Sequence, residues 1–160
     1  MRLKGLPPLA NADSRVLILG SFPGEISLLR QEYYAHERNS FWKILCLIHK
    51  PGLALNTYNA KKMFLQRNGL AVWDVIGTCE RETSADSKIR NARTNDFKSF
   101  LVKYPGIRMI LLNGRIAETT WRKEVSGVTL PAVYVPSTSP ALAALSLKAK
   151  TSAWQQALRF

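Results

Sequence analysis

The residues able to do chemistry in this sequence sit just after apolar runs. Gly20-Ser21-Phe22-Pro23-Gly24-Glu25 follows Val16-Leu17-Ile18-Leu19, and His36, Asn39, Phe41 and Trp42 stand a short way downstream. Asp74 to Gly77 close a second apolar run, Asn113-Gly114 a third, and Pro136-Ser137-Thr138-Ser139-Pro140 a fourth. The side chains gathered there are hydroxyls, carboxamides and aromatic rings, and the glycines let backbone amides approach a ligand closely. Such a set suits the grip of a planar, hydrogen-bonding ligand: Phe41 or Phe22 to stack on it, Asn113 to read an edge, and a serine-rich loop beside phosphates. Neither a Walker lysine nor a GxGxxG fingerprint is present, so phosphoryl transfer and dinucleotide binding lose ground. Cys46 and Cys79 lack a CxxC partner, and His36 and His49 are the only histidines. No metal centre and no cofactor are therefore expected.

Elements of regular structure must bring these stretches together. Four consecutive branched aliphatics at Val16 to Leu19 fit a strand buried on both faces, which implies a parallel sheet covered by helices. Leu70 to Ile76, Arg108 to Leu112 and Ala132 to Val135 supply three further strands. Between them, Phe41, Ile44, Leu45 and Ile48 repeat at helical spacing, as do Phe97, Phe100, Leu101 and Tyr104. Ile26, Leu29 and Tyr33 mark a short helical face, Ala60, Met63 and Phe64 a surface helix, Ala117, Thr120 and Trp121 another, and Trp154, Ala157 and Leu158 the last. Strands alternating with helices predict an α/β fold, a three-layer α/β/α sandwich around a four-stranded parallel central sheet. In such sheets ligands bind beyond the carboxyl ends of the strands, which is where the polar stretches fall. Residues 1–160 are expected to form one domain, with 1–14 as an irregular arm. The polar segment from Gly77 to Asn91 is too long for a plain connector and is expected to be a binding loop or disordered.

The formal net charge is +12 and the pI about 10.1, a balance that points to a polyanionic partner, most commonly nucleic acid. No apolar run approaches the roughly 20 residues needed to span a bilayer, and no signal-peptide core is visible. A cytoplasmic, monomeric protein without membrane contact is the expectation.

Three of these motifs together, Gly20-Ser21-Phe22-Pro23-Gly24-Glu25, His36-Glu37-Arg38-Asn39-Ser40-Phe41-Trp42 and Pro136-Ser137-Thr138-Ser139-Pro140, resemble the uracil-DNA glycosylase superfamily, with the hypoxanthine-DNA (deoxyinosine) glycosylases as the nearest branch. The resemblance runs from Val16 to about Ala141 with the motifs in order. It implies a monofunctional enzyme that flips a deaminated base out of DNA and hydrolyses its N-glycosidic bond. It also maps the catalytic asparagine of the HPxNxFW stretch onto Asn39, with Ser21 in the first motif, where mismatch-specific relatives carry asparagine. Phe41 maps onto the base pocket, and Ser137 to Pro140 map onto the loop that enters the DNA. The usual proline after the histidine is Glu37 here.

A departing base is a better leaving group than an alkoxide, so no pair of carboxylates of the sugar-glycosidase kind is required, and none is evident. Asn39 is expected to position the water, and backbone amides of Ser21 to Gly24 to receive a base oxygen, with Asn113 or Ser137 assisting and Glu25 as a second candidate for water activation. Gly20, Phe22, Pro23, Gly24, Tyr34 and His36 complete the expected base site, although His36 leans structural and Tyr34 fits either a pocket wall or ordinary packing. Trp42 is expected in the core and Phe41 facing the ligand. Trp73 and Asp74 are expected to close the sheet. Arg81, Lys88 and Arg90, with Arg93, Lys148 and Lys150, are expected to touch DNA phosphates. A uracil-directed glycosylase of the same superfamily and a catalytically silent nucleic-acid-binding module remain open as alternatives.

Overall fold

The computed structural model describes residues 1–159. Its strands are β1 (Arg2–Lys4), β2 (Val16–Gly20), β3 (Leu70–Asp74), β4 (Ile76–Glu80), β5 (Arg90–Thr94), β6 (Met109–Asn113) and β7 (Ala132–Val135). Its helices are α1 (Glu25–Arg30), α2 (Phe41–His49), α3 (Tyr58–Arg67), α4 (Phe97–Lys103), α5 (Arg115–Glu124) and α6 (Leu147–Ala157), and a single 3-10 turn spans Asp86–Lys88.

Four strands form a parallel sheet in the order β3-β2-β6-β7. Every residue of β2 and β6 is buried, because alternate side chains feed two opposite cores. Ile18, Val72 and Leu111 pack on one face with Phe41, Ile44, Leu45, Phe64, Leu65 and Trp154, so α2, α3 and α6 cover that side. Leu17, Leu19, Ile110 and Leu112 pack on the other with Phe97, Phe100, Ala117 and Trp121, so α4 and α5 cover it. The three-layer sandwich predicted from the alternation of strands and helices is therefore the observed one. Strand register sets Gly20 at the end of β2 opposite Asp74 at the end of β3.

A second sheet was not foreseen. The segment from Gly77 to Asn91 contributes β4, the 3-10 turn and the start of β5, and the strands pair antiparallel in the order β1-β4-β5. Its polar composition has a physical cause. β5 is almost wholly exposed, so the ladder is held by backbone hydrogen bonds and carries no apolar alternation to read. Phe22, Ile76 and Cys79 make a small core beneath it. The 1–14 arm is likewise only partly irregular, since it supplies β1 and a bridge from Leu9 to Val72.

Smaller differences concern boundaries and faces. The run Leu70 to Ile76 is broken at Val75, whose N–H donates to the Gly20 carbonyl, so the chain leaves one sheet and joins the other. Of the expected face, Ile26 and Leu29 are turned outward, Leu29 at 84% exposure, and Ser27 is the buried position of α1, while Tyr33, past the helix end, is buried as expected. The helix is too short for its spacing to dictate a face. In α3 Phe64 and Leu65 are buried and Met63 is exposed. Asp96 caps α4 by accepting from the Ser99 N–H, and α6 begins at Leu147, two turns before Trp154.

Candidate active site

The carboxyl ends of β2, β3 and β6 and the segment after β7 meet at one edge of the sheet, where hydrogen bonds link the polar stretches. Asn113, buried at the end of β6, accepts from the Thr138 backbone N–H at 3.0 Å through Oδ1. Its Nδ2 donates to Thr138 Oγ1 at 3.1 Å and to the Tyr34 hydroxyl at 3.3 Å. Ser40 closes the other side, donating its N–H at 3.0 Å and its hydroxyl at 3.2 Å to the Thr138 carbonyl. The loop carrying Asn39 and the serine-proline segment are thus fixed to each other and to the sheet. Gly114, at φ +98°, makes the turn after β6, and a Cβ there would come within 3.1 Å of Ser137 Cβ.

Tyr34 is the aromatic residue at this edge. Its ring stacks on Phe41 with centroids 3.9 Å apart and planes inclined by 18°. Phe41 itself is 0% exposed, so it backs Tyr34 and cannot present a face to a ligand, contrary to the sequence expectation. Trp42 is core, as expected, its indole N–H bonded to the Tyr33 carbonyl. Phe22 is also buried, in the small core with Ile76 and Cys79, and is unavailable for stacking. Asn113 needs the same correction: both its amide hydrogens are occupied by Tyr34 and Thr138, so it holds the site together and has no donor free to read a base edge.

Asn39 lies half-buried in the loop before α2, where its Oδ1 accepts from the Phe41 N–H at 3.0 Å. Its Nδ2 has no acceptor among the described residues, so this carboxamide, one residue before the Ser40 cap, holds the first amide of α2 and still has donors free. His36 is exposed, with Nδ1 accepting from the Arg38 N–H within its own loop, which is a structural role. A cleft of about 410 Å³ runs beside this loop, bordered by Tyr34, His36, Asn39, Trp42 and Lys43. Gly20, Ser21 and Asn113 stand outside its walls.

The glycine-flanked turn holds groups that sequence reasoning left out. Ser21 is buried and donates to Asp86 Oδ2 at 2.6 Å. Arg81 is turned inward, donating to the Pro23 carbonyl at 2.6 Å with its guanidinium 5.1 Å from the Phe22 ring centroid. It buttresses the turn and does not reach out to phosphate. Glu25 is exposed at the start of α1, its N–H donating to Ser84 Oγ. The N–H groups of Phe22 and Gly24 have no acceptor among the described residues, leaving them able to receive an oxygen. Asp74 is 4% exposed, and its Oδ2 has no partner. Burial, and then the neighbouring Asp86 charge, push this carboxyl up to about 8, with Arg81 opposing. Burial likewise raises Asp86, while the Ser21 hydrogen bond pulls it back. The sequence places Asp74 at a strand end, where register sets it beside Gly20, but nothing local marks Asp86, which only the fold of the 77–91 segment brings to Ser21.

Of the segment expected to enter DNA, Pro140 and the following Ala141 are exposed, Ser137 and Ser139 are half-buried, and Thr138 is sealed inside at 1% exposure. Lys150 is buried too, with Nζ on the Ser139 carbonyl at 3.3 Å, so it braces this segment from behind. Lys88, Arg90, Arg93 and Lys148 are exposed, as phosphate contacts require. No group of three or more potential metal ligands exists among the described residues, and no described helix is long and apolar enough to cross a membrane.

The family model of the Uracil DNA glycosylase superfamily matches residues 7–158. A hypoxanthine DNA glycosylase of Methanosarcina acetivorans is 32% identical over 156 residues, which is 98% of each chain. One from Methanosarcina barkeri is 34% identical over 115 residues, 72% of this chain and 73% of that one. A solution NMR structure of a Methanosarcina acetivorans protein assigned as a uracil DNA glycosylase superposes with a TM-score of 0.83 at 33% identity, covering 99% of this chain and 98% of the other.

Proposed function

Given that the chain belongs to the uracil DNA glycosylase superfamily and is a DNA glycosylase of base excision repair, we propose that it removes hypoxanthine from DNA containing deoxyinosine. The observation that carries this choice of base is the end-to-end similarity to a hypoxanthine DNA glycosylase. Chemically, hydrolysis at a sugar carbon builds positive charge on the sugar and negative charge on the base, so the protein must orient a water and receive an electron-rich base. The base leaves the duplex and lies against the outer face of Tyr34, which Phe41 holds from behind. Asn39 orients the attacking water, and the N–H groups of Phe22 and Gly24 receive a base oxygen. Flipping costs a few kcal/mol, less for a mispaired base, which itself favours deaminated sites. Pro140 and Ala141 enter the gap left in the stack, while Lys88, Arg90, Arg93 and Lys148 meet phosphates.

The test is direct. Single- and double-stranded oligonucleotides bearing deoxyinosine, deoxyuridine or deoxyxanthosine are incubated with the protein, and abasic sites are then cleaved with alkali. Cleavage fastest at deoxyinosine supports the assignment. Preference for deoxyuridine replaces hypoxanthine by uracil, and tight binding without cleavage at any base leaves a binding module.

A further inference from the structure

Asp74, the most deeply buried carboxyl at this edge, takes no part in orienting the water or in receiving the base oxygen. Register puts it beside Gly20, and the missing Cβ of that glycine is what gives it room. A Cβ on Gly20 would lie 2.6 Å from Asp74 Oδ1 and 2.9 Å from the Tyr34 hydroxyl. The carboxyl and the phenol therefore converge over the Gly20 backbone, at the ring against which the base is placed. Its Oδ2 has no hydrogen-bond partner, and Arg81 makes none with it: Nη2 donates to the Pro23 carbonyl, while Nε and Nη1 are themselves without a partner. A buried carboxylate with no donor and no ion pair is costly, so the group keeps its proton instead. The groups that face it are Asp86 from the 3-10 turn, Arg81 from the end of β4, and Tyr33 and Tyr34 from the loop after α1.

We propose that Asp74 is a further catalytic residue of this site, the acid that hands a proton to the base as it departs. This deepens the glycosylase reading and rests on it. In the step, the Asp74 O–H bond breaks and its proton goes to a ring nitrogen of the base. The electron pair of the bond between the sugar carbon and the base nitrogen leaves with the base, which departs neutral. The water oxygen bonds to the sugar carbon and releases a proton, which restores Asp74. Atoms and charge balance without a co-reactant. An acid that holds its proton to about pH 8 is charged with it at neutral pH, as general acid catalysis requires. Asp86 contributes by keeping that proton in place, since its charge disfavours a second anion nearby.

The experiment is a pH profile of single-turnover base release from deoxyinosine DNA by the wild type, Asp74→Asn and Asp86→Asn. The wild-type rate should fall as pH rises through about 8. Asp74→Asn should lose on the order of 10² in rate or more and lose the descending limb, while keeping its affinity for an abasic-site duplex. Asparagine replaces a neutral carboxyl of the same shape, so a purely structural role would leave the rate intact. Asp86→Asn should move the limb to lower pH, which keeps the idea testable even if the first variant does not fold. A wild-type rate for Asp74→Asn, an unmoved limb in Asp86→Asn, or activity that climbs with pH through this range would overturn the proposal. A wild type silent on every deaminated base would instead overturn the glycosylase reading beneath it.

Discussion

Asn113 ties the serine-proline segment to the aromatic wall, and breaking that tie should be measurable. Its side chain makes three hydrogen bonds, one from the Thr138 N–H, one to Thr138 Oγ1 and one to the Tyr34 hydroxyl. Thr138 is 1% exposed, so no water replaces what Asn113→Ala removes. Each such bond is worth about 1 kcal/mol net, and a sealed donor left unmade costs about 1 to 3 kcal/mol more. Asn113→Ala should therefore destabilise by roughly 4 to 6 kcal/mol. Thr138→Val removes only the hydroxyl and should cost about 1 kcal/mol. Because both changes delete the same Nδ2 to Oγ1 contact, the double variant should fall short of the sum by about 0.5 to 1.5 kcal/mol. Urea unfolding of the four proteins gives the cycle, and amide exchange at residues 137–141 should speed up in Asn113→Ala. Strict additivity, or a loss below about 0.5 kcal/mol for Asn113→Ala, would mean that the bonds at this edge do not hold the loop.

The same geometry sets further expectations. Asn39→Ala should reduce base release by orders of magnitude with DNA affinity nearly unchanged, and should also cost about 1 kcal/mol of stability through the lost bond to the Phe41 N–H; equal activity removes the residue from the mechanism. Gly20→Ala places a methyl 2.6 Å from Asp74 Oδ1, so it should destabilise by about 1 to 3 kcal/mol and impair base release; unchanged melting and rate would refute the close approach. Asp74 holds its proton to about pH 8 in the fold but only to about pH 4 in the unfolded chain, so its contribution to stability is full below about pH 4 and is lost as pH rises through about 8. Asp74→Asn should accordingly melt higher than wild type at pH 8, with the difference closing toward about pH 4. A protein with a formal net charge of +12 that meets DNA through exposed cations should bind an abasic duplex more weakly as salt rises, linearly on a log-log scale, and a flat response would count against these contacts.

The sequence by itself determined the sandwich, because its central strands are runs of aliphatics and the helices against them repeat at i, i+3, i+4 and i+7. It also brought the polar stretches to one edge, since Gly20, Asn113 and Pro136 are where apolar runs stop, and strand ends in a parallel sheet lie together. Trp42 in the core and His36 as a loop brace come from local pattern in the same way. Tertiary structure alone decided which of two neighbouring rings faces outward: Tyr34 and Phe41 are both aromatic, and Phe41 is enclosed by Tyr34, Trp42 and Trp154. It decided that Arg81 and Lys150 turn inward, because a long basic side chain looks the same in sequence whether it reaches a solvent phosphate or a backbone carbonyl. Asp86 was illegible for the same reason, and the strand-end position of Asp74 gave no sign that its carboxyl would be sealed without a partner. Ser21 and Asp86 are 65 residues apart, and the pairing depends on a hairpin whose exposed strand carries no apolar period. Hydrophobic spacing records which face of an element is covered, whereas the protonation and reach of a polar group depend on neighbours that only the folded chain supplies.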